Sequence, residues 1–259
     1  MAENITVTIL TKNSAKHLEE CLQALQRFDE VVILDNGSTD NTMEIARTFQ
    51  NVKVYEHVFT GFGPLKILAT EKASNDWVLS IDSDEIVSRE LAEEIELLNL
   101  REKTVYSIRR DNYYSRKKIS CCGWEHDRVN RLFNRQETGF DEKLVHESLR
   151  LNSNLIIRKL HHPLKHLTFD NASHLLKKME HYSTLWAKGN KGKKHSSALK
   201  AFTRGLFVFL KSYILQKGFL CGYQGLVISV SNANGAFYKY IKLYEANRSN
   251  ERQSHHYDI

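Results

Sequence analysis

The chain has 259 residues, room for one large domain or for an ordinary domain with a sizeable appendage. Hydrophobic and charged fractions of 41% and 26% exclude collagen-like, disordered and multispan membrane classes, and only two prolines, Pro64 and Pro163, leave no Pro-rich linker. The formal charge of +6 favours an acidic partner, a requirement that nucleic acid, an anionic membrane surface or a phosphorylated substrate would each meet.

The charge is unevenly spread. From His181 to Tyr244 there is no Asp or Glu, while Lys and Arg occur ten times, so the rest of the chain carries a net −4. A mildly acidic body is thus joined to a strongly basic segment, and the two call for different partners.

Over the first hundred residues strand-like and helix-like patterns alternate. Ile5 to Leu10 reads as a strand and Ala15 to Phe28 as an amphipathic helix. Val31 to Leu34 is a short strand ending in Asp35, and the polar run through Asp40 leads into a helix ending near Phe49, with Asp40 or Asn41 as its cap. Val52 to Tyr55 is a third strand, Leu65 to Ala73 a helix, Trp77 to Ile81 a fourth strand and Glu90 to Leu98 a helix. Such repeated β-α-β units predict a mostly parallel sheet flanked by helices, with ligands at the C-terminal ends of the strands.

Beyond Leu100 the spacing predicts strands at Thr104 to Arg109, Tyr113 to Ile119, Val129 to Phe133 and Leu155 to Leu160. A histidine-rich stretch holds His161, His162 and His166. From Ala172 onward the pattern is helical. Phe202, Leu206, Phe209, Leu210, Tyr213 and Ile214 recur at helical spacing among Lys200, Arg204, Lys211 and Lys217, which fits either a helix in the membrane interface or a core-packing helix with a cationic side. Gly218 to Tyr238 is uncharged, but its polar residues and glycines make it a poor membrane span. Met1 to Asn4 lacks the basic start of a signal peptide, so export is not expected. The four cysteines, Cys21, Cys121, Cys122 and Cys221, show no CxxC spacing; a disulfide framework is not expected, and a reducing cytosol fits best.

Acidic residues follow two of the apolar strands: Asp35 after the second, and Asp82-Ser83-Asp84-Glu85 after the fourth, with Thr11 and Asn13 after the first. Two carboxylates at i and i+2 just past a strand suit a divalent cation such as Mg²⁺ or Mn²⁺, which in turn neutralises a diphosphate. Three ordered runs, Thr8-Ile9-Leu10-Thr11-Lys12-Asn13, Val32-Ile33-Leu34-Asp35-Asn36-Gly37-Ser38-Thr39-Asp40 and Trp77-Val78-Leu79-Ser80-Ile81-Asp82-Ser83-Asp84-Glu85, resemble family 2 glycosyltransferases of the GT-A fold. The resemblance implies a UDP-hexose donor over Thr11, Asp35 and Asp82, with Asn13 beside it and Asp84 on the metal. Lys66, behind Gly61-Phe62-Gly63, would contact the donor's base or diphosphate, or else be an exposed helix lysine.

Farther along, Gly123-Trp124-Glu125-His126-Asp127-Arg128 and Val145-His146-Glu147 are similar to the bacterial lipopolysaccharide inner-core β-1,4-glucosyltransferases of this family. Inverting transfer needs a carboxylate to take the acceptor's proton. Glu147 is the first candidate and Asp127 the second, with a salt bridge to Arg128 or Arg131 as the structural reading of either. Those two arginines would clamp a phosphate or brace the fold. His162 and His166 stand four apart, but Pro163 argues against a helix there. A zinc site with Cys121 or Cys122, a place for His166 in the metal or diphosphate site, and ordinary surface histidines all remain open.

The expectation is therefore a GT-A catalytic domain over 1–170, a basic helical region over 171–246 associated with the membrane and the acceptor, and a disordered tail over 247–259. The resemblance implies single transfer of a hexose, glucose from UDP-glucose, to a lipid-linked oligosaccharide such as inner-core heptose, on the cytoplasmic face of the inner membrane. A polyprenyl phosphate, a capsule precursor or a protein side chain is the alternative acceptor. The Gln-x-x-Arg-Trp signature of processive members is absent, so a long polymer is not expected. A nucleic-acid-binding module is the competing non-enzymatic reading, and it leaves the acidic residues unexplained.

Overall fold

The computed structural model describes residues 2–144 and 147–254, so Val145 and His146 of the Val-His-Glu run lie outside the described residues. The chain divides into two compact units, Met1–Asp111 with Asp127–His166, and Asn112–His126 with Leu167–Ile259.

In the first unit the expected alternation appears as β1 (Ala2–Thr11), α1 (Ala15–Gln23), β2 (Phe28–Asp35), α2 (Thr42–Arg47), β3 (Val52–Glu56), α3 (Phe62–Glu71) and β4 (Trp77–Asp82). Strands β3, β2, β1 and β4 are parallel neighbours. After β4 come β5 (Glu85–Val87), α4 (Arg89–Glu96), β6 (Thr104–Tyr114), the short β7 (Lys117–Lys118) of the second unit, β8 (Arg128–Asn134), β9 (Ile156–Lys159) and β10 (Leu164–Phe169). Strand β8 runs antiparallel to both β4 and β6, β9 runs parallel to β6, and the start of β10 pairs antiparallel with β5. This is a mixed sheet with flanking helices, as the GT-A expectation describes, parallel over β3, β2, β1 and β4 but largely antiparallel beyond β4 rather than mostly parallel throughout.

Buried apolar residues on β1, β2 and β4 carry the core, with Leu18, Cys21 and Leu22 of α1 packed on it. Helix α1 stops at Gln23 rather than continuing to Phe28, because Leu25 turns inward and Phe28 already opens β2; both are buried. His166 lies on a strand opposite Glu85, so the helical spacing of His162 and His166 is not realised. The stretch read as a strand over Tyr113 to Ile119 is instead the end of β6 and a tight turn at Ser115 and Arg116, both at positive φ, leading into β7.

The second unit is helical. Helix α5 (Ala172–Asn190) is capped by Asn171 and α6 (Ala198–Leu210) by Ser197, each side chain accepting from the backbone N–H three residues on. A widened turn (Lys211–Leu215) and a tight one (Gly218–Cys221) lead into α7 (Gly222–Ser254). The expected tail thus continues α7 as far as Ser254, and residues 255–259 lie outside the described residues. Gly225 sits so close to the Gly218 carbonyl that a Cβ would fall 1.8 Å from it. Cys121 and Cys221 form a disulfide, contrary to the expectation of free thiols; the loop after β7 brings two cysteines that are 100 residues apart in sequence together. Among the described residues no helix is long and apolar enough to cross a membrane.

Candidate active site

Register aligns the chemistry. Thr11 of β1 stands opposite Asp35 of β2, and Leu10 opposite Asp82 of β4, so the three parallel strands end at one level. Beyond that level the backbone no longer bonds within the sheet, and side chains take over.

Asp35 organises the first corner. Its carboxylate accepts from Thr11 Oγ1 (2.8 Å), from the Gly37 and Ser38 backbone N–H groups (2.9 and 2.8 Å) and from Ser38 Oγ (2.5 Å). Burial works to raise its pKa, but the hydrogen bonds led by those of Ser38 outweigh it and hold the carboxyl below its ordinary value. Gly37 takes φ +95°, a region that glycine enters without strain. Asn13, itself at φ +51°, ties the loops after β1 and β2 together: its N–H donates to Ser38 Oγ and its Oδ1 accepts from Thr39 N–H (2.7 Å). The buried Asn36 Oδ1 beside Asp35 has no hydrogen-bond partner among the described residues.

The second corner is a chain of alternating charges. Glu147 Oε1 is 2.9 Å from Lys66 Nζ, which is 3.1 Å from Asp82 Oδ1. Asp82 Oδ2 meets Arg131 Nη2 at 2.6 Å, and the same nitrogen meets Glu85 Oε1 at 2.5 Å. Glu85 also accepts from Arg110 Nη1 (3.0 Å), and Arg110 clasps Asp127 with Nε and Nη2 (2.9 and 3.0 Å). Four carboxylates therefore alternate with three cations. Burial works to raise the Asp82 pKa, but the charges of Arg131 and Lys66 overcome it and hold the carboxyl well below its ordinary value. For Arg131 burial works the other way, and Asp82 and Glu85 keep the guanidinium charged.

The Gly61-Phe62-Gly63 run explains how Glu147 reaches Lys66. The Phe62 and Gly63 N–H groups donate to the Leu144 and Lys143 carbonyls. A Cβ on Gly63 would lie 2.2 Å from the Asp141 carbonyl, and Gly61, at φ +121°, lies against Leu144. Only glycine lets the segment before Glu147 settle against the start of α3, which carries Lys66 one turn later. Lys66 is buried rather than exposed, and it also stands 5.3 Å over the Phe140 ring.

Asp84 Oδ2 faces His166 Nε2 at 3.5 Å, with His166 buried on β10. Ser83, between the two aspartates, bonds Ser14 after β1 (2.9 Å) and so pins the acidic loop to the first corner. The oxygen and imidazole donors suit Mn²⁺ or Mg²⁺, and the one-carboxylate excess of the neighbouring charge chain favours a cation there. Among the described residues no group of three or more His, Cys, Asp and Glu side chains forms a complete metal site.

The structure thus brings Lys66, Asp82, Arg131, Glu147 and Asp127 into one network, Thr11, Asn13 and Asp35 into an adjoining one, and Asp84 and His166 into a pair. Arg128 stays outside: its guanidinium donates to the Ser107 and Leu160 carbonyls (2.7 and 3.3 Å) and joins strand ends. The ion-pair partners also differ from those expected, since Glu147 pairs with Lys66 and Asp127 with Arg110. Sequence reasoning missed Glu85 and Arg110. The signal for Glu85 was its place directly after Asp84 and before an apolar pair; Arg110 carried none beyond a charge at the end of an apolar strand.

A family model described as glycosyl transferase family 2 matches residues 6–160. An uncharacterized glycosyltransferase of Rickettsia typhi is 30% identical over 94% of the chain and 87% of its own length. The lipopolysaccharide core biosynthesis glycosyltransferase LpsC of Rhizobium meliloti is 26% identical over 93% and 92%. Among solved structures, S. aureus TarS (residues 1–349) aligns over 96% of this chain and 91% of its own, with 17% identity and a TM-score of 0.43.

Proposed function

The chain belongs to glycosyl transferase family 2 and is a glycosyltransferase, and on that premise we propose that it moves a single hexose, glucose from UDP-glucose, onto the inner core of a lipopolysaccharide or lipooligosaccharide. One observation carries the catalytic part of this reading: a carboxylate, Glu147, held by Lys66 against the Asp82 end of β4. The relative named for lipopolysaccharide core biosynthesis, matched over nearly the full length of both chains, supports the acceptor class.

In this reading the uridine lies over Thr11, Asp35 and Asn36, whose orphaned Oδ1 is a ready acceptor for a ligand N–H. Lys66 and Arg131 face the diphosphate. Glu147 takes the proton of the acceptor hydroxyl as its oxygen bonds to the anomeric carbon from the side opposite UDP, so the configuration inverts and the C–O bond to UDP breaks. Asp84 and His166 would hold the divalent cation, which when bound neutralises charge on the departing diphosphate. Lys66 holds Glu147 in place until the acceptor arrives.

Attachment to an anionic membrane surface has support in the exposed residues of the second unit. Phe202 and Phe207 of α6 and Leu215 after it are more than half exposed, with Lys200 and Lys217 among them.

The test is a mass-spectrometric transfer assay with purified protein, Mn²⁺ and a panel of nucleotide sugars, using inner-core oligosaccharide as acceptor. One added hexose from UDP-glucose is expected. Transfer only from another donor would overturn the sugar assignment, and transfer only to polyprenyl phosphate would overturn the acceptor.

A further inference from the structure

The second unit has an open cavity of about 620 Å³ lined by α5, α6 and α7 together with Trp124. That size is typical of a site for a small organic molecule, for which about 300–1,000 Å³ is usual. Four cations line it, Lys178, Arg204, Lys211 and Lys239, and no described lining residue is acidic. Nor does any of the four form an ion pair with a described residue. Two stand over aromatic rings instead, Lys178 Nζ at 5.0 Å from the Phe169 centroid and Arg204 at 5.9 Å from that of Tyr240.

A cation–π contact does not cancel the charge of its cation, and like charges sharing one cavity repel one another. Four unpaired cations around one cavity therefore favour an occupant with more than one negative charge, for which a phosphate is the natural group. The remaining walls narrow its chemistry. Trp186 and Tyr240 lie 5.2 Å apart, centroid to centroid, with Lys194 over the first ring and Lys200 and Arg204 over the second, so aromatic surface of the kind that packs on pyranose C–H groups lies beside cations. Gln216, Ser231 and Asn232 add neutral donors and acceptors for hydroxyls. A bare acyl chain would use none of these polar groups.

We propose that this cavity binds a phosphorylated saccharide, the headgroup of the lipid-linked acceptor; the identity of that saccharide rests on the transferase reading above. Helix α6 supports the assignment, because Arg204, Val208 and Lys211 at its cavity side share the helix end with the exposed Leu206, Phe207 and Leu210. A headgroup in the cavity stands beside a surface apolar enough to meet its lipid.

Tryptophan fluorescence and titration calorimetry on the full chain test this, since Trp124 and Trp186 line the cavity. The probes are a deacylated phosphorylated core oligosaccharide, the same oligosaccharide after phosphatase treatment, inorganic phosphate, oligo(dT) and phosphatidylglycerol vesicles. The phosphorylated oligosaccharide is expected to bind at least tenfold more tightly than its dephosphorylated form or inorganic phosphate. The Arg204→Gln, Lys211→Gln double variant should weaken it tenfold or more and leave UDP-sugar hydrolysis without acceptor unchanged. If that variant does not melt cooperatively, Lys239→Gln alone should weaken binding at least threefold. Equal binding of the two oligosaccharides, equal binding of inorganic phosphate, tighter binding of oligo(dT) or vesicles, or insensitivity to the substitutions would each overturn the site. If the oligosaccharide binds as described but no hexose is transferred from any donor, the transferase reading fails and the site stands. If transfer proceeds with unchanged KM for acceptor in the variants, the site fails and the transferase reading stands.

Discussion

In the first unit Lys66, Arg110 and Arg131 each stand between two carboxylates at 2.5–3.1 Å, whereas in the second unit Lys178, Arg204, Lys211 and Lys239 surround a cavity without an ion pair to any described residue. Paired charges hold each other in place, and each is costly to remove alone. Unpaired cations brace nothing, and they leave an electrostatic demand for an anion from outside. The acidic body and the basic segment of the sequence thus correspond to two ways of using charge: one fixes reacting groups, the other receives a ligand. The comparison can be broken at several points.

The largest effect should come from the end of the paired chain. Glu147→Gln keeps shape and removes the base, so kcat should fall about a thousandfold with little change in donor KM, within the range typical of general bases. Asp127→Asn should cost less than tenfold, because Asp127 is clasped by Arg110 and the rest of the chain remains. Steady-state kinetics of both variants decide the matter; a larger fall for Asp127→Asn would transfer the role.

Next is the middle of the chain. Arg131 is buried and joins Asp82 to Glu85, whose side chain is fully buried. Arg131→Met should destabilise the fold by about 3–5 kcal/mol, measured by urea unfolding, because it removes the cation between Asp82 and the fully buried Glu85, whose carboxylate has no water to turn to and keeps only Arg110. A loss below about 1 kcal/mol would mean that the alternating charges are not what holds this corner.

Much of this was readable in advance, and the misses have physical causes. Strands β1, β2 and β4 were legible because parallel strands covered on both faces are nearly continuous apolar runs, such as Val31 to Leu34, and β3 because its apolar residues alternate with polar ones. Asp35, Asp82 and Asp84 were legible because they break those runs at their ends. Strand β5 was not, since Glu85-Ile86-Val87 is too short to show a period; nor was β10, where Lys165 and His166 interrupt the apolar residues. The partner of Glu147 was also hidden. It depends on glycines at 61 and 63 meeting a segment some eighty residues later, which no local pattern records. Burial of Lys66 and the Cys121–Cys221 disulfide depend on the same kind of long-range approach.

Farther from the site, Glu30 offers a pH test of paired charge. Burial works to raise its pKa, but bonds from Lys53, Thr6 and Ser74 overcome it and bring the carboxyl from 4.5 to about 2. A lowered carboxylate stabilises the fold fully above its unfolded pKa and loses that contribution as pH falls through the folded one. Up to about 3 kcal/mol should therefore disappear between pH 4.5 and pH 2. Urea unfolding from pH 6 to pH 2 should show a steeper loss for wild type than for Glu30→Gln; parallel curves would refute it.

Gly63→Ala tests whether position as well as charge matters. Its new Cβ meets two backbone carbonyls, and neither can yield without moving the segment that carries Glu147. A loss of about 1–3 kcal/mol in stability is expected, as for overpacking elsewhere, with about a tenfold fall in kcat. Gly139→Ala, whose Cβ would lie 3.7 Å from the Arg150 guanidinium, should leave kcat unchanged.

The smallest effect is the most telling for the second unit. Where cations have no carboxylate, removing one relieves repulsion and strands nothing. Lys211→Gln should therefore change stability by no more than about 0.5 kcal/mol, and in the stabilising direction, against the 3–5 kcal/mol expected for Arg131→Met. Raising salt from 50 to 500 mM should shrink even that gain, because mobile ions screen like charges. Addition of 10 mM inorganic phosphate should raise the wild-type melting temperature more than that of Lys211→Gln, since an anion that binds only the folded state stabilises it. A destabilised Lys211→Gln would mean that this cation has a structural partner after all, and the contrast between the two units would close from the other side.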